Sequence, residues 1–382
     1  MKIDLFLNQK SCFDVLQTFT HEFHQALQQA KIDSKILDVG DKKLTIDWLE
    51  EYVKTKKPDF LGGFNTVCFA APLVEKTNFI SIIVDPICFY PELFCLNEQV
   101  VCHVDKDCCQ LLKSWGHQRT LFLPHAVSKE VLEKKVKGER KYDIVFPASF
   151  IDPDAILKEW KKTFSPRLYN FLGEIIDRSL MEREFTHMTL FLHALRDAPD
   201  IKEEFDRKRI EPFNLMCALD DVIRGKDKIG IIQGLSDFDV HVFGSKKDQA
   251  VWKKESKGNL IFHDPVPYKD LWKLFSESKI VINSVPRFKQ SLHERLLLAL
   301  SQGASVITNS NIYCEAEFPQ SRAVSYFTPP RWGLIANLAQ ELLQDEGKRI
   351  SDVEKARHHI AKHHTWDVRV KELVQGLKSL NL

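Results

Sequence analysis

The apolar positions of the first third of the chain alternate between two periods. Short runs of strand character, KIDLFLN (2–8), SKILDVG (34–40), NFISIIVDP (78–86), QVVCHVD (99–105) and RTLFLPHAV (119–127), punctuate stretches of helical period, with PDFLGGFN (58–65) between the second and third. Over 12–30 the residues Phe13, Leu16, Phe19, Phe23 and Leu27 share one helix face, and 46–54 reads as a second helix. Strands alternating with helices predict a parallel sheet covered on both faces.

A charged stretch, KEVLEKKVKGERK (129–141), breaks the pattern and reads as a connector between domains. YDIVFPASF (142–150) then opens a second domain. Residues 152–229 read as charge-rich helices with Trp160, Phe171, Leu190, Phe191 and Leu195 as core contacts, and no chemistry is assigned to them. FDVHVFGS (238–245), NLIFHDPV (259–266), KIVINSV (279–285) and ASVITN (304–309) restore the alternation, RAVSYF (322–327) adds a further strand, and 335–380 is a helical tail.

Composition narrows the class. The chain has 382 residues, enough for two domains, with 54 basic against 53 acidic side chains and a net charge of +1. That balance gives no sign of bulk nucleic-acid binding. No run approaches the ~20 apolar residues of a membrane-spanning helix, and the N-terminus lacks signal-peptide organisation. The expected location is therefore the cytoplasm. Nine cysteines, five of them at 88, 95, 102, 108 and 109, lack the C-x2-C pairs zinc prefers and read as buried or incidental thiols.

In open α/β sheets ligands bind beyond the carboxyl ends of the strands. The candidate positions are then 8–11, Asp85–Pro86, His125, Gly244–Lys246, His263–Tyr268 and Asn283–Ser291. The G-x-G-x-x-G fingerprint, the P-loop and the G-x-S-x-G elbow are all absent, which weighs against a dehydrogenase, a P-loop NTPase and an α/β-hydrolase.

SLHERLLLALSQGASVITN (291–309) carries the densest signal. It predicts a helix over about 292–302 that Gly303 ends. Its N-terminus would point into the crevice and offer N–H groups to an anion. Ser-Leu-His-Glu also fits a capping box, in which Ser291 caps the helix and Glu294 reaches back. Glu294 is thus either a cap partner or a contact for a ligand hydroxyl. His293 and Arg295 have no capping duty, and their types suit an anionic ligand. Asp85 is a candidate proton acceptor or a turn former, and His125 a candidate base or a loop-bonding residue. Asn283 reads as a ligand contact or a loop anchor, and Tyr268 as packing or base stacking.

The segment from YKDLWKLFSESKIVINSVP to SLHERLLLALSQGASVITNSNIY resembles the C-terminal domain of glycosyltransferases of the spore-maturation (CgeB-like) group. The ending ARHHIAKHHTWDVRVKEL (356–373), with its His-Thr-aromatic-x-x-Arg pattern, VDPICFY (84–90), CHVDKDC (102–108) and LFLPHAV (121–127) resemble the same group. The resemblance, which leaves out 152–229, implies a GT-B architecture: two Rossmann-like domains facing across a cleft, and the helical block at about 152–229 then reads as an insertion in the second. It implies an acceptor-side domain, 1–139, completed by the helix 366–382, and a donor-binding domain, 140–365. It implies transfer of a sugar from a nucleotide-sugar donor to an unknown acceptor, without a metal or other cofactor. Donor contacts would fall on Asn283, Ser291, His293, Glu294, Arg295, Tyr268 and Gly244, and an acceptor base on Asp85 or His125. The E-x7-E pair of many retaining GT-B enzymes falls here on Gln290 and Leu298, so the acidic pair is missing. Glu294, one turn before Leu298, is the candidate substitute for the ribose contact. The departure keeps open a catalytically inactive sugar-, nucleotide- or partner-binding protein, and another GT-B-shaped enzyme such as an epimerase or phosphorylase.

Overall fold

The computed structural model describes residues 1–8, 12–38, 46–67, 78–95, 99–134 and 139–382. Residues 9–11, the end of the strand expected at 34–40, and 135–138 of the charged connector lie outside the described residues. The chain divides into two units: Met1–Glu130 with Pro267–Lys269 and Ile360–Leu382, and Val131–Val266 with Asp270–His359.

The first unit holds a parallel sheet of six strands: β1 (Ile3–Phe6), β2 (Ile36–Leu37), β3 (Phe60–Phe64), β4 (Asn78–Ile83), β5 (Val100–His103) and β6 (Thr120–Phe122). Their order is β2-β1-β3-β4-β5-β6. Every residue of β1, β3 and β5 is buried, as continuous apolar strands covered on both faces must be. The helix Val15–Gln29 buries Leu16, Phe19, Phe23, Ala26 and Leu27, but Phe13 of the predicted stripe lies before the helix in a turn with φ 57° and is exposed. The last helix, Trp366–Ser379, packs on it. Trp366 meets Phe19, Phe23 and Phe64 with ring centroids 5.5–5.8 Å apart, and its indole N–H donates to Glu22 at 2.7 Å.

The second unit holds β7 (Tyr142–Pro147), β8 (Val240–Phe243), β9 (Leu260–His263), β10 (Ser278–Asn283), β11 (Ser305–Asn309) and β12 (Val324–Phe327). All are parallel, in the order β12-β11-β10-β7-β8-β9. The chain runs outward from β7 to β9, then crosses to β10 on the other side of β7. In open α/β sheets such a reversal marks the ligand-binding end, here the carboxyl ends of β7 and β10. Between β7 and β8 lie five helices, the insertion the charge-rich block predicts. The last of them, Pro212–Gly234, packs Ile231 and Ile232, with the capping residue Leu235, against Ile144, Phe146, Val240 and Val242 in the core.

Candidate donor and acceptor sites

At the β7–β10 reversal the chain folds into a ring of polar contacts. Asp227, fully buried on the helix Pro212–Gly234, accepts from Ser284 Oγ at 2.6 Å, Asn309 Nδ2 at 3.0 Å and Trp332 Nε1 at 3.1 Å. One carboxyl group thereby ties the ends of β10 and β11 to the loop that follows β12. Burial raises its pKa, and the three donors oppose the rise. Asn309 also accepts from the Val285 N–H at 2.7 Å, which fixes the first turn after β10. Asn283, the last residue of β10, is fully buried; its amide donates to Thr308 at 3.1 Å and its Oδ1 has no partner among the described residues.

The segment after β10 is not an open ligand loop. Lys289 donates to the Ser179 carbonyl at 2.9 Å, Gln290 to the Glu184 carbonyl at 3.0 Å, and Asn311 to the Ser291 carbonyl at 3.1 Å. These non-local partners draw Lys289, Gln290, Ser291 and Leu292 into the interior. The capping-box expectation is corrected accordingly. Ser291 is buried, and its hydroxyl turns to the Leu292 carbonyl at 3.1 Å. The helix starts two residues later than predicted, as Glu294–Ser301, and its N-cap is His293, whose Nδ1 accepts from the Arg295 N–H at 3.3 Å. The far end agrees with the sequence: Gly303 follows the cap with φ 81°.

His293, Glu294 and Arg295 are the partly exposed residues of this stretch. Glu294 Oε2 lies 3.1 Å from His293 Nδ1. Arg295 donates through Nη1 to the Pro147 carbonyl at 2.9 Å and approaches His293 Nε2 at 3.4 Å. The guanidinium is therefore held at the carboxyl end of β7. Next to it, Lys228 donates to the Ser149 carbonyl at 2.8 Å. Burial, followed by repulsion from Arg224, Arg295 and Arg287, pushes the Lys228 ammonium well below its usual pKa, with Asp220 opposing. Burial alone would raise the Asp220 carboxyl, but Arg287 and Arg224 bring it down to about 2. Three guanidinium groups and the Lys228 amine thus gather around Asp220, with Asp221 also paired to Arg224 at 3.3 Å, and an anion would restore the charge that burial takes from Lys228. The helical block, which shows no chemistry in the sequence, supplies Asp220, Arg224, Asp227 and Lys228. The spacing of four from Asp220 through Arg224 to Lys228 is the signal that marks one helix face.

Gly244 directly follows β8. A Cβ there would lie 2.1 Å from the Ala148 carbonyl oxygen, so the position requires glycine for the close approach of two strand ends. His263 stacks on Phe243 with centroids 4.4 Å apart and pairs with His241 at 2.8 Å. Tyr268 belongs to the first unit, buried with its ring edge-on to Phe19 at 5.3 Å. Of the positions in the missing acidic pair, Leu298 is core and Gln290 holds the Glu184 carbonyl.

In the first unit, Asp85 lies just beyond β4 and is half-buried. Asn65, at the end of β3 with φ 50°, donates to Asp85 Oδ2 at 2.8 Å and accepts from the Val84 N–H at 2.9 Å. His103 Nδ1 accepts from the Asp105 N–H at 3.0 Å, so Nε2 carries the proton that meets the Asp85 carbonyl at 3.1 Å. Asp105 itself caps the helix Lys106–Ser114, accepting from the Asp107 and Cys108 N–H groups. His125 is buried beside Phe19; burial, then His103 and Arg369, lower its pKa to about 3. An imidazole so depressed is a weak base. Arg369, the last residue of the His-Thr-aromatic-x-x-Arg pattern, donates to the Pro124 carbonyl at 2.8 Å and pairs with His364 Nδ1 at 2.8 Å. The motif braces the loop that carries His125. Cys88, Cys102, Cys108 and Cys109 are buried thiols; burial pushes Cys102 up to about 12, so it is no nucleophile.

Residues 228–375 match a family model described as glycosyl transferase-like. No curated protein matches the chain by sequence. Several solved structures match it over nearly their whole length. Sucrose-phosphate synthase from Thermosynechococcus elongatus aligns with a TM-score of 0.58 at 10% identity, over 99% of this chain and 98% of that one. Anabaena HepE, solved in complex with UDP and glucose, aligns with a TM-score of 0.56 at 12% identity, over 99% and 100%. A DNA-modifying β-glucosyltransferase aligns with a TM-score of 0.54 at 12% identity, over 100% of both. The fold is the two-domain α/β fold of these GT-B relatives, built on two parallel six-stranded sheets. Among the described residues no helix is long and apolar enough to cross a membrane.

Proposed function

We propose that the protein is a glycosyltransferase that moves a sugar from a nucleotide-sugar donor to an acceptor. The observation that carries this reading is the gathering of Arg224, Lys228, Arg287 and Arg295 at the β7–β10 reversal, beside the N-terminus of Glu294–Ser301. The departing group of such a reaction is a nucleoside diphosphate, and stabilising its charge is the main electrostatic task. Arg295 would serve it with guanidinium donors and Lys228 with amine N–H donors that the arriving anion would help to protonate, in place of a metal ion. Glu294 takes the ribose contact in this reading, and His263 borders the base. The matched family model and the relatives, one of them a UDP complex, support a UDP-type donor. Finer placement in the CgeB-like group rests on the two C-terminal sequence motifs. The acceptor falls to the first unit. Asp85 is the better base candidate, because His125 is buried and its basicity depressed. A panel of nucleotide sugars and acceptors, followed by nucleotide release, tests the proposal. One donor consumed only with an acceptor supports transfer; binding without turnover by any acceptor returns the inactive reading.

A further inference from the structure

Asp85 is gripped from both strands that flank β4 in the first sheet. On the β5 side, His103 Nε2 meets its backbone carbonyl at 3.1 Å. On the β3 side, Asn65 Nδ2 donates to its Oδ2 at 2.8 Å. We propose that Asn65 is a positioning residue for sugar transfer, which fixes the Asp85 carboxylate where it can take the acceptor proton. The proposal rests on the reading of Asp85 as the acceptor base.

The amide of Asn65 is itself fixed by the backbone of the neighbouring strand. Its own N–H donates to the Ile82 carbonyl at 2.8 Å, and its Oδ1 accepts from the Val84 N–H at 2.9 Å. An N–H can meet only an acceptor, so Oδ1 faces Val84 and Nδ2 is left to face Asp85 as a donor. A hydrogen bond to an ionised carboxylate is shorter and stronger than one between neutral groups, and here it restrains rotation of the Asp85 side chain. Phe64, Ile83, Val84 and Pro86 beside the pair are buried, while Asn65 and Asp85 are partly exposed. The pair thus stands at the open edge of a packed sheet. A general base must lie within about 2.6–3.2 Å of the group whose proton it takes. A displacement of about 1 Å at such a group can cost on the order of a hundredfold in rate.

A turn alone makes a different demand. Asn65 has φ 50°, in the left-handed region that glycine adopts freely and that asparagine and aspartate tolerate better than other side chains. Holding this turn and the Val84 N–H needs only that tolerance and an acceptor, and aspartate supplies both. What asparagine adds is the N–H donor, and that donor is directed at Asp85. The structural role and the positioning role therefore part at one substitution.

The test is steady-state kinetics on the full chain with UDP-glucose, or the nucleotide sugar that the panel selects, and its acceptor. Wild type is compared with Asn65→Gly, Asn65→Asp and Asp85→Asn. Glycine keeps the backbone conformation and removes the amide. Aspartate keeps the acceptor for Val84 but sets a second carboxylate against Asp85, and the two repel. The expected result is a kcat at least tenfold lower in both Asn65 variants, with the donor KM within twofold of wild type. Asn65→Asp should be no more active than Asn65→Gly, although it restores the bond to Val84. A kcat within twofold of wild type in Asn65→Gly, with Asp85→Asn inactive, overturns the proposal and spares the reading of Asp85. So does a wild-type kcat in Asn65→Asp, which would leave Asn65 as a backbone anchor. A kcat retained in Asp85→Asn, or no turnover by wild type with any pair, removes the reading itself, and the proposal falls with it.

Discussion

Asp227 Oδ2 accepts the Ser284 hydroxyl at 2.6 Å, linking the last helix of the insertion to the residue that leaves β10. With Asn309 and Trp332 on its other oxygen, this buried carboxyl organises the carboxyl edge of the second sheet. Asp227→Leu would orphan three donors, at about 1–3 kcal/mol for each one left unsatisfied. Urea unfolding should show a loss of several kcal/mol. Asp227→Asn keeps an acceptor, and the Ser284 hydroxyl can rotate to accept, so its loss should be much smaller. Equal losses in the two variants would contradict the hub.

Gly244→Ala sets a methyl group 2.1 Å from the Ala148 carbonyl oxygen. Backbone must move, because no flexible side chain is there to give way. The expected cost is about 1–3 kcal/mol, as for overpacked cores. Thermal unfolding would read it as a lowered Tm. An unchanged Tm would show that the two strand ends are not so closely apposed.

Three buried histidines predict acid sensitivity. Burial holds His103 to about 4, His125 to about 3 and His187 to about 4. Below the ordinary value near 6.5 the unfolded chain takes up protons that these folded imidazoles refuse. Stability is therefore full above about pH 6.5 and falls as pH drops towards the folded values, by roughly 1.4 kcal/mol per pH unit for each group. Urea unfolding at pH 7 and pH 5 should differ by several kcal/mol. The difference should shrink in His103→Gln, whose amide can replace the imidazole hydrogen bonds.

If Asp85 takes the acceptor proton, Asp85→Asn should lower kcat by at least a hundredfold and leave donor affinity intact. The Asn65 contact would persist through the amide oxygen, so the fold should hold. A kcat within twofold of wild type would remove Asp85 from the chemistry.

The fold was legible because burial on both faces leaves a plain mark: the apolar runs at 78–86, 99–105, 279–285 and 304–309 all became strands. Gly303 was legible because a left-handed residue after a helix favours glycine. The helix start was not. Ser291 and Glu294 fit a capping box locally, but Asn311 and the carbonyls of Ser179 and Glu184 hold 289–292 inside, and the first residue free to cap is His293. Arg224 and Lys228 are not legible as site residues in the sequence, because charges on a helix ordinarily face water. Their helix instead lies under the sheet edge, where contact with the carbonyl of Ser149 replaces solvent. Tyr268 sits near His263 in sequence, yet it packs on Phe19 in the first unit, a partner that spacing along the chain does not reveal.

The most direct test of the donor site is calorimetric titration of UDP-sugars into wild type, Arg295→Ala and Lys228→Met. The account predicts measurable affinity for at least one donor in wild type and at least a tenfold loss in each variant. Binding of the same strength in Arg295→Ala and Lys228→Met would place the donor elsewhere and leave the His293–Glu294–Arg295 stretch as a helix start alone.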